Sequence, residues 1–127
     1  MLCDTMVQKW GMVEAVAGVP LGGCHLASIV SMAHSLPIDT IFIRKESKDH
    51  GTKQRIERPL MIQDQHLVLL EDVVTTGNSA KEAAELLRNE GYDVKGILAV
   101  VDRRPDKKPF LGNFNFAALV NFEELTP

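Results

Sequence analysis

The chain has 127 residues, of which 45% are hydrophobic and 24% are charged, which is the balance of one folded domain with its own core. Its formal net charge of −3 gives no overall basic field for nucleic acid or anionic lipid, so any anion site has to be local. No apolar run approaches the roughly 20 residues of a membrane span, and the N-terminus does not have the pattern of a secretory signal. The two cysteines, Cys3 and Cys24, lack metal-binding spacing, so we expect a reduced, cytoplasmic protein.

In the first half of the chain, short apolar runs alternate with one helical pattern. Residues 13–19 are a short apolar run that ends at Pro20, and residues 41–43 predict a short strand. Between them, apolar residues recur at i, i+3, i+4 and i+7 and predict a helix over residues 25–34. Residues 44–59 are almost all polar and predict a long exposed loop, which in a folded domain is usually functional or disordered.

The second half repeats the alternation of strand and helix. Continuous apolar runs predict strands over residues 66–70 and 95–101, with a last short one over 116–120. Helical spacing over residues 80–90 predicts an amphipathic helix whose apolar face comprises Ala80, Ala83, Ala84 and Leu87. Ser79 and Glu82 suggest a capping box at its start, and Gly91 suggests its stop. Together these elements predict an α/β domain with a mainly parallel sheet flanked by helices.

The segment over residues 68–80 carries the clearest chemistry. A buried strand runs into two acids, Glu71 and Asp72, followed by a loop of Thr, Gly, Asn and Ser residues and the start of a helix. Ligands of open parallel sheets bind beyond the carboxyl ends of strands, and a glycine with free helical amides forms a phosphate cradle. Carboxylates accept hydrogen bonds from sugar hydroxyls and help to hold Mg²⁺ through water.

The plain alternative for this segment is an ordinary well-capped turn, because Ser, Thr, Asn and Gly favour such positions anyway. The paired acids, the Thr-Thr-Gly loop and the helix start form a much rarer string than any of them alone, which favours a functional site. The segment is neither a Walker A loop nor a GxGxxG fingerprint.

Four segments of the sequence are similar to one enzyme family. Residues 70–79, LEDVVTTGNS, resemble the phosphoribosyl pyrophosphate (PRPP) signature of type I phosphoribosyltransferases. Residues 42–51, FIRKESKDHG, resemble the mobile catalytic loop of the orotate phosphoribosyltransferases. Residues 16–23 are similar to the family's loop after an early strand, and residues 101–103 to the strand end that offers an arginine to orotate. Because the four matches follow the family order, the chain is identified as a member, with a type I phosphoribosyltransferase-like core.

The resemblance implies an activity and a domain organisation. The reaction is transfer of ribose 5-phosphate from PRPP to orotate, which gives orotidine 5′-monophosphate and pyrophosphate in pyrimidine nucleotide biosynthesis, with Mg²⁺ as cofactor. The expected organisation is a single domain over residues 1–127 whose mobile catalytic loop, residues 44–58, serves the neighbouring site of a homodimer. No nucleic acid or membrane partner is expected.

The resemblance also implies roles for particular residues. Lys48 and His50 are the expected catalytic pair, and Thr75 and Arg103 the expected orotate contacts. The expected PRPP-binding residues are Arg44, Lys45, Glu71, Asp72, Thr75, Thr76, Gly77, Asn78 and Ser79. No residue is expected to bind metal directly, since Mg²⁺ arrives with PRPP and Asp72 reaches it through water.

The sequence departs from the family pattern at two places. Family members carry a further N-terminal segment that forms a hood over orotate, and we expect that hood to be absent from this chain. The early loop has Leu21-Gly22-Gly23 where some members have a lysine for pyrophosphate. Two alternatives therefore stay open, namely a phosphoribosyltransferase of another base and a non-catalytic regulatory PRPP sensor. The presence of Lys48 and His50 favours an enzyme.

Overall fold

The fold is built on one sheet, and the computed structural model describes residues 2–11, 13–18, 23, 26–27, 39–44, 56–57, 66–104 and 114–121. Gly23, Leu26 and Ala27 have helical backbone, the last two within the predicted helix over 25–34. In chain order the elements are α1 (Leu2–Trp10), β1 (Ala15–Gly18), β2 (Asp39–Ile43), β3 (Ile56–Glu57), β4 (His66–Val74), α2 (Asn78–Asn89), β5 (Asp93–Asp102) and β6 (Phe116–Asn121).

The strands of the described residues lie in the order β3-β2-β1-β4-β5-β6. Every neighbouring pair from β2 to β6 is parallel, and the short β3 pairs antiparallel with β2. The prediction of an α/β domain with a mainly parallel sheet flanked by helices is confirmed. Because the strands are parallel, their carboxyl ends meet along one border, the carboxyl edge, which follows Gly18, Ile43, Val74 and Asp102.

Two apolar layers cover the faces of the sheet. Side chains alternate along a strand, so Leu67 and Leu69 of β4 enter the layer with α2, while Val68 and Leu70 enter the opposite layer with α1. The predicted apolar face of α2 is confirmed, since Ala80, Ala83, Ala84 and Leu87 are all buried. With roughly 25 cal/mol for each Å² of apolar surface removed from water, this double coverage is the main source of stability for the sheet.

Helix α1 was not predicted, and its packing explains a glycine in β5. Met6 is fully buried and Trp10 packs beside it in the same apolar layer. A Cβ atom at Gly96 would overlap the indole ring of Trp10. The register of β4 and β5 shifts at this point, between Leu67 and Val68. A strand glycine here permits the close approach of the aromatic ring.

The start of α2 differs from the prediction, whereas its end agrees with it. The capping box of Ser79 and Glu82 is wrong, because the helix begins at Asn78 after an N-cap at Gly77, and this N-cap residue makes no side-chain hydrogen bond to the helix. Gly91 does end the helix, with a φ of 97° and its amide donating to the Arg88 carbonyl at 3.1 Å. The Tyr92 amide donates to the Leu87 carbonyl at 3.2 Å, which completes a Schellman motif.

Two strand boundaries also differ from the sequence interpretation. Strand β4 continues to Val74, so Glu71 and Asp72 lie within it and do not follow it. Ile56 and Glu57, which were expected inside the long exposed loop, pair with Ile43 and Phe42 as β3. The loop interpretation is wrong at these two residues. The rest of residues 45–58 lies outside the described part of the chain.

A cluster of charges lies at the opposite border of the sheet, where β4 and β5 begin. His66 Nδ1 lies 2.6 Å from Asp93 Oδ2, and Lys95 Nζ lies 3.0 Å from the same oxygen. The hydrogen bond from Lys95 holds the pKa of Asp93 below its ordinary value of 3.8. These side chains are about half exposed, so the pairs are screened by water and contribute little to stability.

The contact of Trp10 with Gly96 leads to a double-mutant prediction. We expect Gly96→Ala to lower the free energy of unfolding by about 1–3 kcal/mol, because the added methyl group overpacks against the indole ring. In a Trp10→Ala background the same change should cost much less, since the ring is gone. Urea unfolding of the four proteins measures both values. Equal losses in the two backgrounds would show that the ring is not the cause.

Candidate functional site

The strand order reverses between β1 and β4, and this is the place where open parallel sheets bind ligands. The register sets Gly18 beside Leu70 at the reversal. A Cβ atom at Gly23 would lie 2.8 Å from the Leu70 carbonyl oxygen and 3.4 Å from the Gly18 Cα atom. The chain after β1 therefore returns directly over the strand ends, and only glycine fits against that carbonyl.

The sheet register also brings Arg44 to the carboxyl edge. Phe42 pairs with Gly18, which pairs in turn with Leu70, so Arg44 and Asp72 lie at the same height on the two sides of β1. At a strand spacing of about 4.8 Å, the two backbones are roughly 10 Å apart. A cation and an anion thus flank the reversal point from opposite sides.

The two acids of β4 have different surroundings. Glu71 is buried, with 9% of its surface exposed, whereas Asp72 is exposed. The Asp72 Oδ1 atom accepts a hydrogen bond from the Val73 amide at 2.8 Å. Val73 is also exposed, at 40%, although its side chain is a large apolar one. The end of β4 therefore offers an accessible carboxylate beside an apolar surface.

Beyond β4 the chain forms an exposed turn that leads into α2. Gly77 has a φ of 91°, in the left-handed region that favours glycine. The Asn78 amide donates to Thr76 Oγ1 at 3.3 Å, and the Lys81 amide donates to the Gly77 carbonyl at 2.9 Å. The first amides of a helix have no acceptor within the helix, and the N-cap residue Gly77 supplies no side-chain acceptor for them. This turn has the geometry of a phosphate site.

The end of β5 lies beside that turn. The Arg103 amide donates to the Val74 carbonyl at 2.8 Å, so the exposed Arg103 follows the strand next to Thr75. The next residue, Arg104, binds the carboxylate of Asp102 with Nε and Nη2, both at 2.9 Å. Its guanidinium also lies 4.5 Å from the centre of the Phe116 ring. The strand end is thus held by contacts with both β4 and β6.

The structure brings together most of the site residues that the sequence predicted. Those described at the carboxyl edge are Arg44, Glu71, Asp72, Thr75, Thr76, Gly77, Asn78, Ser79 and Arg103. Lys45, Lys48 and His50 lie outside the described residues. Sequence reasoning missed the contact of Arg104 with Asp102. The spacing Asp-x-Arg was visible, but only the fold shows that this aspartate is buried.

The described residues contain no group of three or more His, Cys, Asp and Glu side chains that could hold a metal ion. Among the described residues of the candidate site, one exposed carboxylate, Asp72, has the hard oxygen donors that Mg²⁺ prefers. Such a donor fits a metal ion whose other ligands come from water and from a bound phosphate. None of the described helices is long and apolar enough to cross a bilayer.

Comparison with known proteins gives one consistent result. A family model described as a phosphoribosyl transferase domain matches residues 4–115. An orotate phosphoribosyltransferase of Sorangium cellulosum is 47% identical over 94 residues, covering 71% of this chain and 49% of that protein. One of Synechocystis sp. is 46% identical over 101 residues, covering 77% of this chain and 51% of its own. The chain thus spans about half the length of these relatives.

Solved structures give the same result. The orotate phosphoribosyltransferase of Mycobacterium tuberculosis H37Rv, in complex with Fe(III) dicitrate, has a TM-score of 0.81 at 28% identity, covering 99% of this chain and 72% of that one. The same enzyme in complex with PRPP has a TM-score of 0.75 at 25% identity, covering 97% and 70%.

The left-handed glycine before α2 leads to a test of the phosphate geometry. We expect Gly77→Ala to destabilise the fold by about 1–2 kcal/mol, because a Cβ atom strains this conformation, and to weaken the binding of inorganic phosphate. Amide chemical shifts in a phosphate titration measure the binding, and urea unfolding measures the stability.

Gly91 provides the matched control, since it also has a positive φ but lies at the other end of α2. Gly91→Ala should lose a similar amount of stability while phosphate binding stays unchanged. Loss of binding in both variants would mean that the effect comes from a weakened helix and not from the turn.

Proposed function

Because the chain belongs to the phosphoribosyl transferase domain family, we propose that it transfers ribose 5-phosphate from PRPP to orotate, in pyrimidine nucleotide synthesis. One observation carries the proposal. The segment from Glu71 to Ser79 forms a strand end, a glycine turn and a helix start at the reversal point of a parallel sheet. The orotate phosphoribosyltransferases to which the chain is similar supply the choice of base.

The first task of the site is to bind PRPP. The turn over residues 75–77 and the first amides of α2 receive the 5′-phosphate, because exposed helix amides and their dipole favour an anion. Glu71 and Asp72 accept hydrogen bonds from the ribose hydroxyls. Glu71 is buried and Asp72 is exposed, at successive positions of β4 beside the reversal point.

The second task is to stabilise the transition state. As pyrophosphate leaves, the ribose carbon gains positive charge and the leaving group holds several negative charges. Preorganised charge is the main means of stabilising such a state. Arg44, Lys45, Lys48 and His50 supply the cations, and the proposal assigns Lys48 and His50 the catalytic roles, with His50 as proton donor to the leaving group.

The pairing of β2 with β3 supports this assignment of the catalytic loop. Arg44 follows β2 at the carboxyl edge, and Ile56 returns beside Ile43. The described residues on either side of 45–55, Arg44 and Ile56, therefore lie at the same edge of the sheet as the candidate PRPP site. In the proposed homodimer the loop over residues 44–58 serves the neighbouring subunit's site.

Mg²⁺ and the base complete the proposal. Bound Mg²⁺ neutralises charge on the pyrophosphate, and Asp72 is the residue that would hold it through water. Arg103 and Thr75 orient orotate, Arg103 by pairing with its carboxylate. Both residues lie at adjacent ends of β4 and β5. A cytoplasmic location is part of the proposal and rests on two cysteines that have neither CxxC nor metal-binding spacing.

The acids of β4 give a direct test of PRPP binding. We expect Asp72→Asn and Glu71→Gln to weaken binding of PRPP with Mg²⁺ by about 10- to 100-fold, because each loses a charge-assisted hydrogen bond. Isothermal calorimetry measures the affinity. Asp93→Asn is the control, since that exposed carboxylate lies at the opposite border of the sheet. No heat from the unmodified chain at millimolar PRPP would refute the proposed function.

A second test addresses the loop. Lys48→Ala should reduce the rate of orotidine monophosphate formation by about 100-fold or more while PRPP affinity changes little. The absorbance change on conversion of orotate measures the rate, and parallel assays with purine bases test the alternative of another base. A rate equal to that of the unmodified protein would exclude a catalytic role for Lys48.

The homodimer is tested by mixing two impaired variants. Lys48→Ala lacks the loop lysine and Asp72→Asn lacks the sugar carboxylate, so hybrid dimers should regain one intact site and partial activity. Mixed samples that gain no activity, although differently tagged subunits purify together, would mean that each loop serves its own site.

A further inference from the structure

We propose that Arg104 is a positioning residue. It binds the carboxylate of Asp102, so that Arg103 stays in position to bind the anionic group of the base. The inference rests on the proposed transfer to orotate. It concerns two adjacent arginines at the end of β5, to which the structure gives different surroundings. Arg103 is exposed at the carboxyl edge, whereas Arg104 has only 12% of its side chain exposed.

The carboxylate of Asp102 is buried and needs compensation. Asp102 is 5% exposed, and a buried carboxylate is costly unless a cation and several hydrogen bonds compensate it. Arg104 supplies both, because Nε and its own amide donate to Oδ1 at 2.9 and 3.0 Å and Nη2 donates to Oδ2 at 2.9 Å. Both oxygens of Asp102 therefore receive hydrogen bonds from Arg104.

The backbone of Arg103 is held by its neighbours. The hydrogen bond from the Arg104 amide to the Asp102 side chain closes a turn around Arg103. In addition, the Arg103 amide donates a hydrogen bond to the Val74 carbonyl at 2.8 Å. The Phe116 ring lies under the Arg104 guanidinium at 4.5 Å and limits where that group can move. The Cα position of Arg103 is thus set by contacts from β4, β5 and β6.

The two neighbouring arginines, Arg103 and Arg104, therefore have different roles. Without Arg104, the buried carboxylate would need another cation, and Arg103 is the adjacent one in the chain. Recruiting Arg103 to Asp102 would withdraw its guanidinium from the edge of the sheet. Arg103 would then no longer bind a planar carboxylate, the group that arginine binds in bidentate fashion.

The test compares two ligands that differ only in that group. Orotate carries a carboxylate on the pyrimidine ring, and uracil is the same ring without it. We expect Arg104→Gln to raise the KM for orotate about tenfold or more, as for other losses of substrate positioning. The KM for PRPP and the kcat/KM for uracil should change less than twofold. The preference for orotate over uracil therefore falls.

A second variant separates positioning from general damage. In Asp102→Asn/Arg104→Gln no buried carboxylate remains to attract Arg103, so the double variant should regain part of the orotate preference that the single variant loses. A purely structural role predicts the opposite, since two changes would damage the strand end more than one. Equal or greater loss in the double variant overturns the proposal.

The control is Arg88→Gln, because Arg88 also lies over a phenylalanine ring, Phe114 at 4.0 Å, but at the far end of α2. It should leave orotate and uracil kinetics unchanged. Should Arg104→Gln fail to fold, Phe116→Leu removes only the aromatic support of the guanidinium and is expected to raise the orotate KM more modestly.

The outcomes distinguish this inference from the proposed function. An unmodified protein that uses neither orotate nor PRPP overturns both. An unmodified protein that converts orotate, with an Arg104→Gln variant whose orotate preference is unchanged, overturns the positioning role alone. A loss that falls equally on orotate, uracil and PRPP also overturns it.

Discussion

Strand β4 is packed on both faces, with Leu67 and Leu69 against one apolar layer and Val68 and Leu70 against the other. It is also paired on both sides, with β1 and with β5. A slip of one residue would exchange the two faces of the strand and break both ladders. The positions of Glu71 and Asp72 along the sheet are therefore fixed by the burial and pairing of β4 more firmly than by contacts of the acids themselves.

Those parts of the molecule that obey a local period could be predicted from sequence. The apolar runs of β4 and β5 and the four-residue face of α2 each contain their own signal, because burial of one element needs only a repeating pattern. The signature over residues 70–79 was equally local, so most of the candidate phosphate and ribose contacts could be named in advance.

The remaining features depend on contacts between distant segments, which no local pattern contains. Strand β3 has two described residues and exists only because β2 lies beside it. Helix α1 is short, and it is held against the sheet where the Trp10 ring packs on Gly96 of β5. The capping residues of α2 were predicted wrongly because Ser79 is of a residue type that favours N-caps. In the structure β4 extends to Val74, and Gly77 is the N-cap.

The antiparallel pair of β2 and β3 has a consequence for how this protein can change. Ile43 and Ile56 stand side by side at the sheet border, so the segment between them begins and ends at one place. The entropy of closing such a segment rises only slowly with its length. Insertions, deletions or exchange of the whole segment with that of a homologue should therefore leave the sheet intact, which makes this border a natural point for evolution, or an engineer, to replace one chemistry with another.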